Sequence, residues 1–201
     1  MSQARVLSDR ELRKVMLYCA AHPHAARNKC MLLMTHLAGL RVGEVAALRM
    51  ADVVGGDGDI LTEVHLSADQ TKGHIGRTVL LPQKLRDELQ VYLRARFGNK
   101  NWVAACYADA QRALFPTQKN PLRGFTPNTL CQHFGQLYKR AGVDGASSHS
   151  GRRFFITSLA DKGVAMHILM ALAGHKNLST TQRYISQNPN LMRAAVELIS
   201  A

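Results

Sequence analysis

The feature that most constrains this chain is a succession of apolar stretches at helical spacing, each opened or closed by a recognisable cap and interrupted once by a strand pair. Ser8 followed by Glu11 forms a capping box, with Leu12, Val15, Met16 and Cys19 behind it, so a first helix is expected over about Asp9–Ala20. A second apolar helix covers Ala25–Ala38 and stops at Gly39, and a third runs from Val42 to Met50. Gly55-Gly56-Asp57-Gly58 marks a turn. Ile60–Leu66 and Thr78–Leu81 then read as strands, joined by a polar loop holding Thr71, Lys72, Gly73 and Gly76. Pro82 opens a helix with Leu85, Leu89, Tyr92 and Leu93 on one face. Thr126-Pro127 is an N-cap followed by proline at the first helical position, opening a helix to about Arg140. Further helices are expected at Ser150–Lys162, Ala165–Ala173 and Ser179–Ser186, and a last one over about 189–200. Gly98–Pro121 gives the weakest pattern, with one short apolar piece at Leu114-Phe115. The fold class expected is mainly α with a small antiparallel sheet (α+β). No linker or repeat divides the chain, so residues 1–201 are expected to form one domain.

Charge narrows the function. Lys and Arg number 26 against 14 Asp and Glu, for a net charge of +12 in 201 residues. A globular domain this basic usually faces polyanions, most often nucleic acid; an inert basic surface is the alternative. No run of about 18 apolar residues is present, so a membrane-spanning helix is not expected. Met1–Arg13 has no apolar run beside its charges, so neither is a secretory leader. None of the four cysteines pair as C-x-x-C; Cys19, Cys30 and Cys131 read as small buried hydrophobes of a reducing compartment. His22 and His24 are the only close histidine pair, and no zinc-type quartet or H-E-x-x-H exists, so no metal site is expected.

Polar residues stand at four places in the chain where local structure does not require them. Arg41 lies at a helix-to-helix junction, Ala38-Gly39-Leu40-Arg41-Val42-Gly43-Glu44, where it could serve a helix C-terminus. His149-Ser150-Gly151-Arg152 puts a histidine and an arginine one helical turn apart, with His149 placed to cap the helix. His175 follows the stop Leu172-Ala173-Gly174, where a histidine is commonly a C-terminal cation. Tyr184 closes Thr180-Thr181-Gln182-Arg183-Tyr184, where a lone tyrosine is commonly half-buried core.

Taken together, these positions have another meaning. Arg41, Glu44, Lys72, His149, Arg152, His175 and Tyr184 resemble, in order and spacing, the pattern of the tyrosine recombinase (phage integrase) family. That pattern is Arg, an acidic residue three later, Lys on a hairpin, H-x-x-R, Gly-His, and Tyr about nine residues on. The resemblance runs from about Leu7 to Ile199. It implies the family's catalytic-domain fold and a site-specific recombinase that cuts and rejoins DNA through a covalent 3′-phosphotyrosyl intermediate, without ATP, metal or other cofactor. Tyr184 would be the nucleophile, its hydroxyl protonated at neutral pH with a reference pKa of about 10. Arg41 and Arg152 would hold the non-bridging oxygens, His149 would act as base, Lys72 as general acid and His175 as a hydrogen-bond donor, with Glu44 orienting the cations.

Arg77, Arg153, Lys176 and Arg183 are candidate phosphate contacts, with solvated surface charge the alternative. The partners implied are double-stranded DNA, further copies of the chain (a tetramer on DNA, a monomer or dimer when free) and an accessory DNA-bending or DNA-binding protein. The implied setting is cytoplasmic, on the nucleoid when bound. The stripe Leu191, Met192, Val196, Ile199 either folds back on its own domain or docks on a neighbouring protomer. Set against that resemblance, the sequence is expected to lack the N-terminal core-binding domain that most members carry ahead of the helix at about Asp9, and to be similar in this to the small invertases that flip fimbrial promoter elements. A regulator that keeps the fold without turnover and a type IB topoisomerase are the competing readings.

Overall fold

The computed structural model describes residues 4–99, 101–184, 192–193 and 196–197. The element order is α1 (Asp9–Ala20), α2 (Ala25–Leu37), α3 (Val42–Ala47), α4 (Met50–Val53), β1 (Glu63–Leu66), β2 (Arg77–Leu80), α5 (Gln83–Phe97), α6 (Trp102–Ala108), α7 (Pro127–Arg140), α8 (Ser150–Asp161), α9 (Met166–Ala173) and α10 (Leu178–Gln182). The chain is mostly helical, with one small antiparallel sheet.

The core is organised by α2. From Cys30 to Met34 every side chain is buried, so this helix has no solvent face and its neighbours must surround it. α1 lies on one side, its start fixed by Ser8 and Glu11: the Glu11 amide donates to Ser8 Oγ (3.3 Å) and the Ser8 amide to Glu11 Oε2 (2.9 Å). α5 packs on another side through Leu85, Leu89 and Leu93, and α7 closes the core with Leu130, Phe134 and Tyr138. α8 covers the third side at close range. A Cβ on Gly151 would fall 2.0 Å from Thr35 Oγ1 and 2.7 Å from His36 Nδ1, so only glycine permits the contact. Gly39 ends the α2 segment in the left-handed region (φ +64°), directly under the ring of Phe155.

Several expectations need correction. The third helix does not run to Met50. It stops at Ala47 because the backbone turns out to pair with a later segment: the Leu48 carbonyl accepts from the Leu114 amide (2.9 Å) and the Met50 amide donates to the Arg112 carbonyl (2.9 Å). The short α4 then restarts, with the Arg49 amide donating to Asp52 Oδ2 (2.7 Å). The first strand covers only Glu63–Leu66, since Ile60 pairs instead with Val54 as an isolated bridge. β2 begins one residue earlier than expected, in the register Leu66 to Arg77 and Glu63 to Leu80. The segment that sequence left unread contains α6, held by Trp102, whose indole donates to the Gly58 carbonyl (2.8 Å). Cys19 and Cys30 are fully buried, but Cys131 is half-buried with its thiol against Ser148 Oγ (3.3 Å). Most of the expected last helix lies outside the described residues; Met192 and Val196, which are described, are exposed. Among the described residues no helix is long and apolar enough to cross a membrane.

Burial also sets the acid limit of the fold. His36 is 1% exposed, with Nδ1 2.8 Å from the Leu32 carbonyl, and burial pushes its pKa from 6.5 down to about 4. Its imidazole is therefore neutral when folded and titrates normally when unfolded. Between pH 6.5 and about 4 the unfolded chain takes up a proton that the folded chain refuses, so stability falls as pH drops through that window. His36 alone accounts for about 3 kcal/mol between pH 7 and pH 4. Urea unfolding across this range will show the decline. His36→Leu will reduce the proton uptake on unfolding by about one, whatever its effect on stability at pH 7.

Candidate active site

The site is built on the C-terminal end of α9. Gly174 adopts the left-handed conformation (φ +59°), and the chain closes the helix with two backbone bonds, Gly174 N–H to the Ala171 carbonyl and His175 N–H to the Met170 carbonyl (both 3.0 Å). This leaves the next three carbonyls pointing out of the helix end, and each accepts from a different arginine. Arg77 Nη1 donates to Leu172 (3.1 Å), Arg152 Nη2 to Ala173, and Arg41 Nη2 to Gly174 (3.2 Å). Cations at a helix C-terminus also meet the negative end of its dipole. Gly174 is needed twice here, since a Cβ would also fall 2.6 Å from Arg77 Cδ.

Glu44 ties this group together. It is 1% exposed and receives four donors: Arg41 Nη1 (2.9 Å) and Arg77 Nε (3.2 Å) on Oε1, Arg77 Nη2 (2.7 Å) and the Arg41 amide (2.7 Å) on Oε2. Burial pushes its carboxyl pKa up. The Arg77 hydrogen bond and charge, then the Arg41 amide and charge, outweigh this and hold it below the ordinary carboxylate value. Arg152 is 4% exposed and also donates to the Gly39 carbonyl. Burial first, then the charge of Arg41, brings its pKa down to about 9, so it stays cationic at neutral pH.

Arg41 and Arg152 face a cavity of about 640 Å³ that Lys72, His149, His175 and Tyr184 also line. The structure thus brings six of the seven motif residues to one cavity, with the seventh, Glu44, directly behind Arg41. Lys72 is exposed at the tip side of the hairpin loop. The loop's base is pinned by Gln70, which donates to the Ala47 carbonyl (3.1 Å), and by Thr71, which donates to the Ile75 carbonyl (2.7 Å). Beyond these anchors Gly73 (φ +101°) and His74 (φ +53°) make the turn. His149 occupies the N-cap position of α8, but its side chain makes no capping bond, contrary to the capping reading. The local bonds are made by serines: the Ser147 amide donates to Ser150 Oγ (2.9 Å) and the His149 amide to Ser147 Oγ (3.3 Å), leaving the imidazole to the cavity.

Tyr184 is half-buried. Its ring stacks on His175 at 5.7 Å and lies 5.6 Å from the Arg153 guanidinium. His175 has its pKa lowered to about 4 by burial first, then by Arg152, Arg41 and Arg77, so it is neutral at pH 7 and is not the terminal cation of α9. Among the candidate phosphate contacts, Arg153 and Arg183 line the cavity and Lys176 does not. Arg77 is turned inward, onto Glu44 and Leu172. Its register carried the signal, because Arg77 shares the inward face of its strand with Val79, with Leu81 continuing the alternation just past the strand end. A second cavity of about 620 Å³ shares Arg41, Lys72 and His149 with the first and runs past Phe125 at the start of α7. Among the described residues no group of three His, Cys, Asp or Glu could hold a metal ion.

The sequence model of the Phage integrase family matches residues 5–190. This chain belongs to the phage integrase family. It is 30% identical over 196 residues to tyrosine recombinase XerA of Thermococcus kodakarensis, covering 98% of this chain and 63% of that protein. It is 26% identical to tyrosine recombinase XerD of Rickettsia bellii, covering 95% and 62%. The chain thus spans less than two thirds of the length of these relatives. Among solved structures the fold is similar to the XerA recombinase (TM-score 0.74, 21% identity, 100% of this chain and 65% of that one). It is also similar to the Tn1549 transposon integrase in complex with transposon right end DNA (TM-score 0.72, 17% identity, 100% and 68%). These likenesses establish a tyrosine recombinase catalytic-domain fold.

For this family member the geometry makes Arg77 a strut rather than a surface charge. Removing one partner of a buried ion pair typically costs about 3–5 kcal/mol. Arg77→Met should therefore lower the free energy of unfolding by about 3 kcal/mol, read by urea denaturation at pH 7. Arg77→Lys should recover less than half, because an ammonium cannot reach both Glu44 oxygens and the Leu172 carbonyl as a guanidinium does.

Proposed function

We propose that this chain is the catalytic domain of a site-specific DNA recombinase that breaks and rejoins strands through Tyr184. The observation that carries the reading is the pair of guanidiniums, Arg41 and Arg152, immobilised by the end of α9 and facing the same cavity as Tyr184. A phosphodiester under attack gathers negative charge on its non-bridging oxygens, and rigid cationic donors stabilise that charge without reorganising during the reaction. Named relatives are tyrosine recombinases, and neighbours of the same fold have been solved on DNA, including the XerH recombinase bound to difH substrate (TM-score 0.69, 18% identity).

The steps follow from the residues. Tyr184 Oη attacks phosphorus and passes its proton to His149. The new bond joins tyrosine to the 3′-phosphate as the bond to the 5′-oxygen breaks. Lys72, on its hinged loop, donates a proton to the departing 5′-oxygen. Arg41 and Arg152 bind the non-bridging oxygens, and neutral His175 donates a hydrogen bond to them. Glu44 keeps Arg41 aimed. The linkage conserves the phosphodiester energy, so a 5′-hydroxyl from a second strand reverses the step on a new partner. Arg153 and Arg183, at the cavity, hold the flanking backbone. The partners are double-stranded DNA, other copies of this chain on that DNA and an accessory DNA-bending protein, in a reducing, cytoplasmic setting consistent with four free cysteines.

Covalent capture tests the reading. Nicked duplexes tiled from DNA flanking the gene, incubated with the protein in chelator, should yield a protein–DNA adduct on a denaturing gel, and Tyr184→Phe should abolish it. Arg41→Ala and Arg152→Ala should each slow adduct formation by about a hundredfold or more. Tight binding with no adduct on any duplex would point instead to a regulator that keeps the fold. Relaxation of supercoiled DNA regardless of sequence would point to a topoisomerase.

A further inference from the structure

His175 and Tyr184 are joined through a residue with no role in the steps above. Thr181 is fully buried on α10. Its Oγ1 lies 2.9 Å from His175 Nδ1, and its carbonyl accepts from the Tyr184 amide (2.9 Å). One buried residue therefore holds the histidine by its side chain and the tyrosine by its backbone, while the two rings stack at 5.7 Å. With Nδ1 turned to Thr181, Nε2 is the ring nitrogen left to the cavity.

The imidazole is neutral at working pH, because burial and three neighbouring arginines disfavour its cation. A neutral imidazole has one N–H and one lone pair, and which nitrogen carries the proton decides what it shows the cavity. If Nδ1 holds the proton, it donates to Thr181 and Nε2 presents a lone pair, which a phosphate oxygen repels. If the hydroxyl donates to Nδ1, the proton sits on Nε2 and faces the phosphate. Only the second arrangement suits an anion in the cavity beside Arg41 and Arg152.

We propose that Thr181 is a positioning residue whose hydroxyl donates to His175 Nδ1 and so locks His175 in the Nε2–H form, ready to donate to a phosphate oxygen. The functional half of this inference rests on the strand-cleavage reading above; the hydrogen bond itself does not. The Thr181 backbone also holds Tyr184, so donor and nucleophile are placed by one residue.

The test uses the full chain with ¹⁵N-labelled histidine. Two-bond ¹H–¹⁵N correlations report directly which nitrogen of His175 is protonated, with His175→Gln used for assignment. Wild type and Thr181→Ser, which keeps the hydroxyl, should show His175 protonated at Nε2. Thr181→Val, of nearly the same shape, should show a mixture or a shift to Nδ1. Adduct formation should slow by about tenfold to a hundredfold in Thr181→Val, the range seen when the group orienting a metal-ligating imidazole is lost, and recover in Thr181→Ser. A wild-type spectrum with the proton on Nδ1, or one that Thr181→Val leaves unchanged, overturns the proposal. A cleavage rate that Thr181→Val leaves unchanged overturns its functional half. If wild type forms no adduct while the spectra behave as described, strand cleavage fails as a reading and the hydrogen-bond assignment stands.

Discussion

The buried carboxylate of Glu44 is the interaction on which the rest of the site depends. Three guanidiniums converge on the end of α9, and like charges at such range repel. Glu44 offsets part of that repulsion through four donors, and the carbonyls of Leu172, Ala173 and Gly174 each accept one further N–H. Three cations against one anion leave the platform with a surplus of positive charge facing the cavity. Held partly out of water, such a surplus is costly to fold, and in the proposed reaction it suits a phosphate. The interaction also joins parts distant in sequence: α3 and β2 meet on Glu44, and Arg41 and Arg77 carry the link on to the end of α9, where Arg152 of α8 also bonds.

Around this fixed centre the other groups differ in how firmly they are held. Arg152 and Thr181 are buried, and His175 is bound to Thr181. Lys72 is the first residue beyond the Gln70 and Thr71 anchors, on a loop where Gly73 has nothing within 4 Å of an added Cβ. In the proposed reaction a group that delivers a proton late gains from such freedom, whereas groups that stabilise charge lose effect if they move. The division between anchored cations and a hinged lysine follows from these contacts.

Much of the helical framework was legible in the sequence. The Ser8–Glu11 box, the Thr126-Pro127 start and the Gly174 stop are local devices, and local devices survive in any context. The third helix was misread because the pairing of Leu48 and Met50 with residues 112–114 is non-local and overrides helix propensity. α6 was unread because a seven-residue helix whose placement rests on Trp102 and Gly58 carries no periodic signal of its own. His149 sat where a capping residue should, and only the serines on either side show why its imidazole is left to the cavity.

By itself the sequence determined the inventory: which residue types are present, in what order, and on which kind of element each falls. That was enough to place Arg41, Glu44, Lys72, His149, Arg152, His175 and Tyr184 in one pattern, because such a pattern is a matter of order and spacing. Only the tertiary structure decided which charges face the cavity and which are internal. Arg77 and Arg153 look alike as letters, yet Arg77 is turned inward onto Glu44 and Arg153 lines the cavity beside Tyr184. Thr181 looks like its neighbour Thr180, yet it alone of the two is fully buried, with its hydroxyl at His175. The physical reason is the same in each case. A side chain's partners are chosen by packing and by the need to satisfy buried polar groups, and neither is written in local spacing.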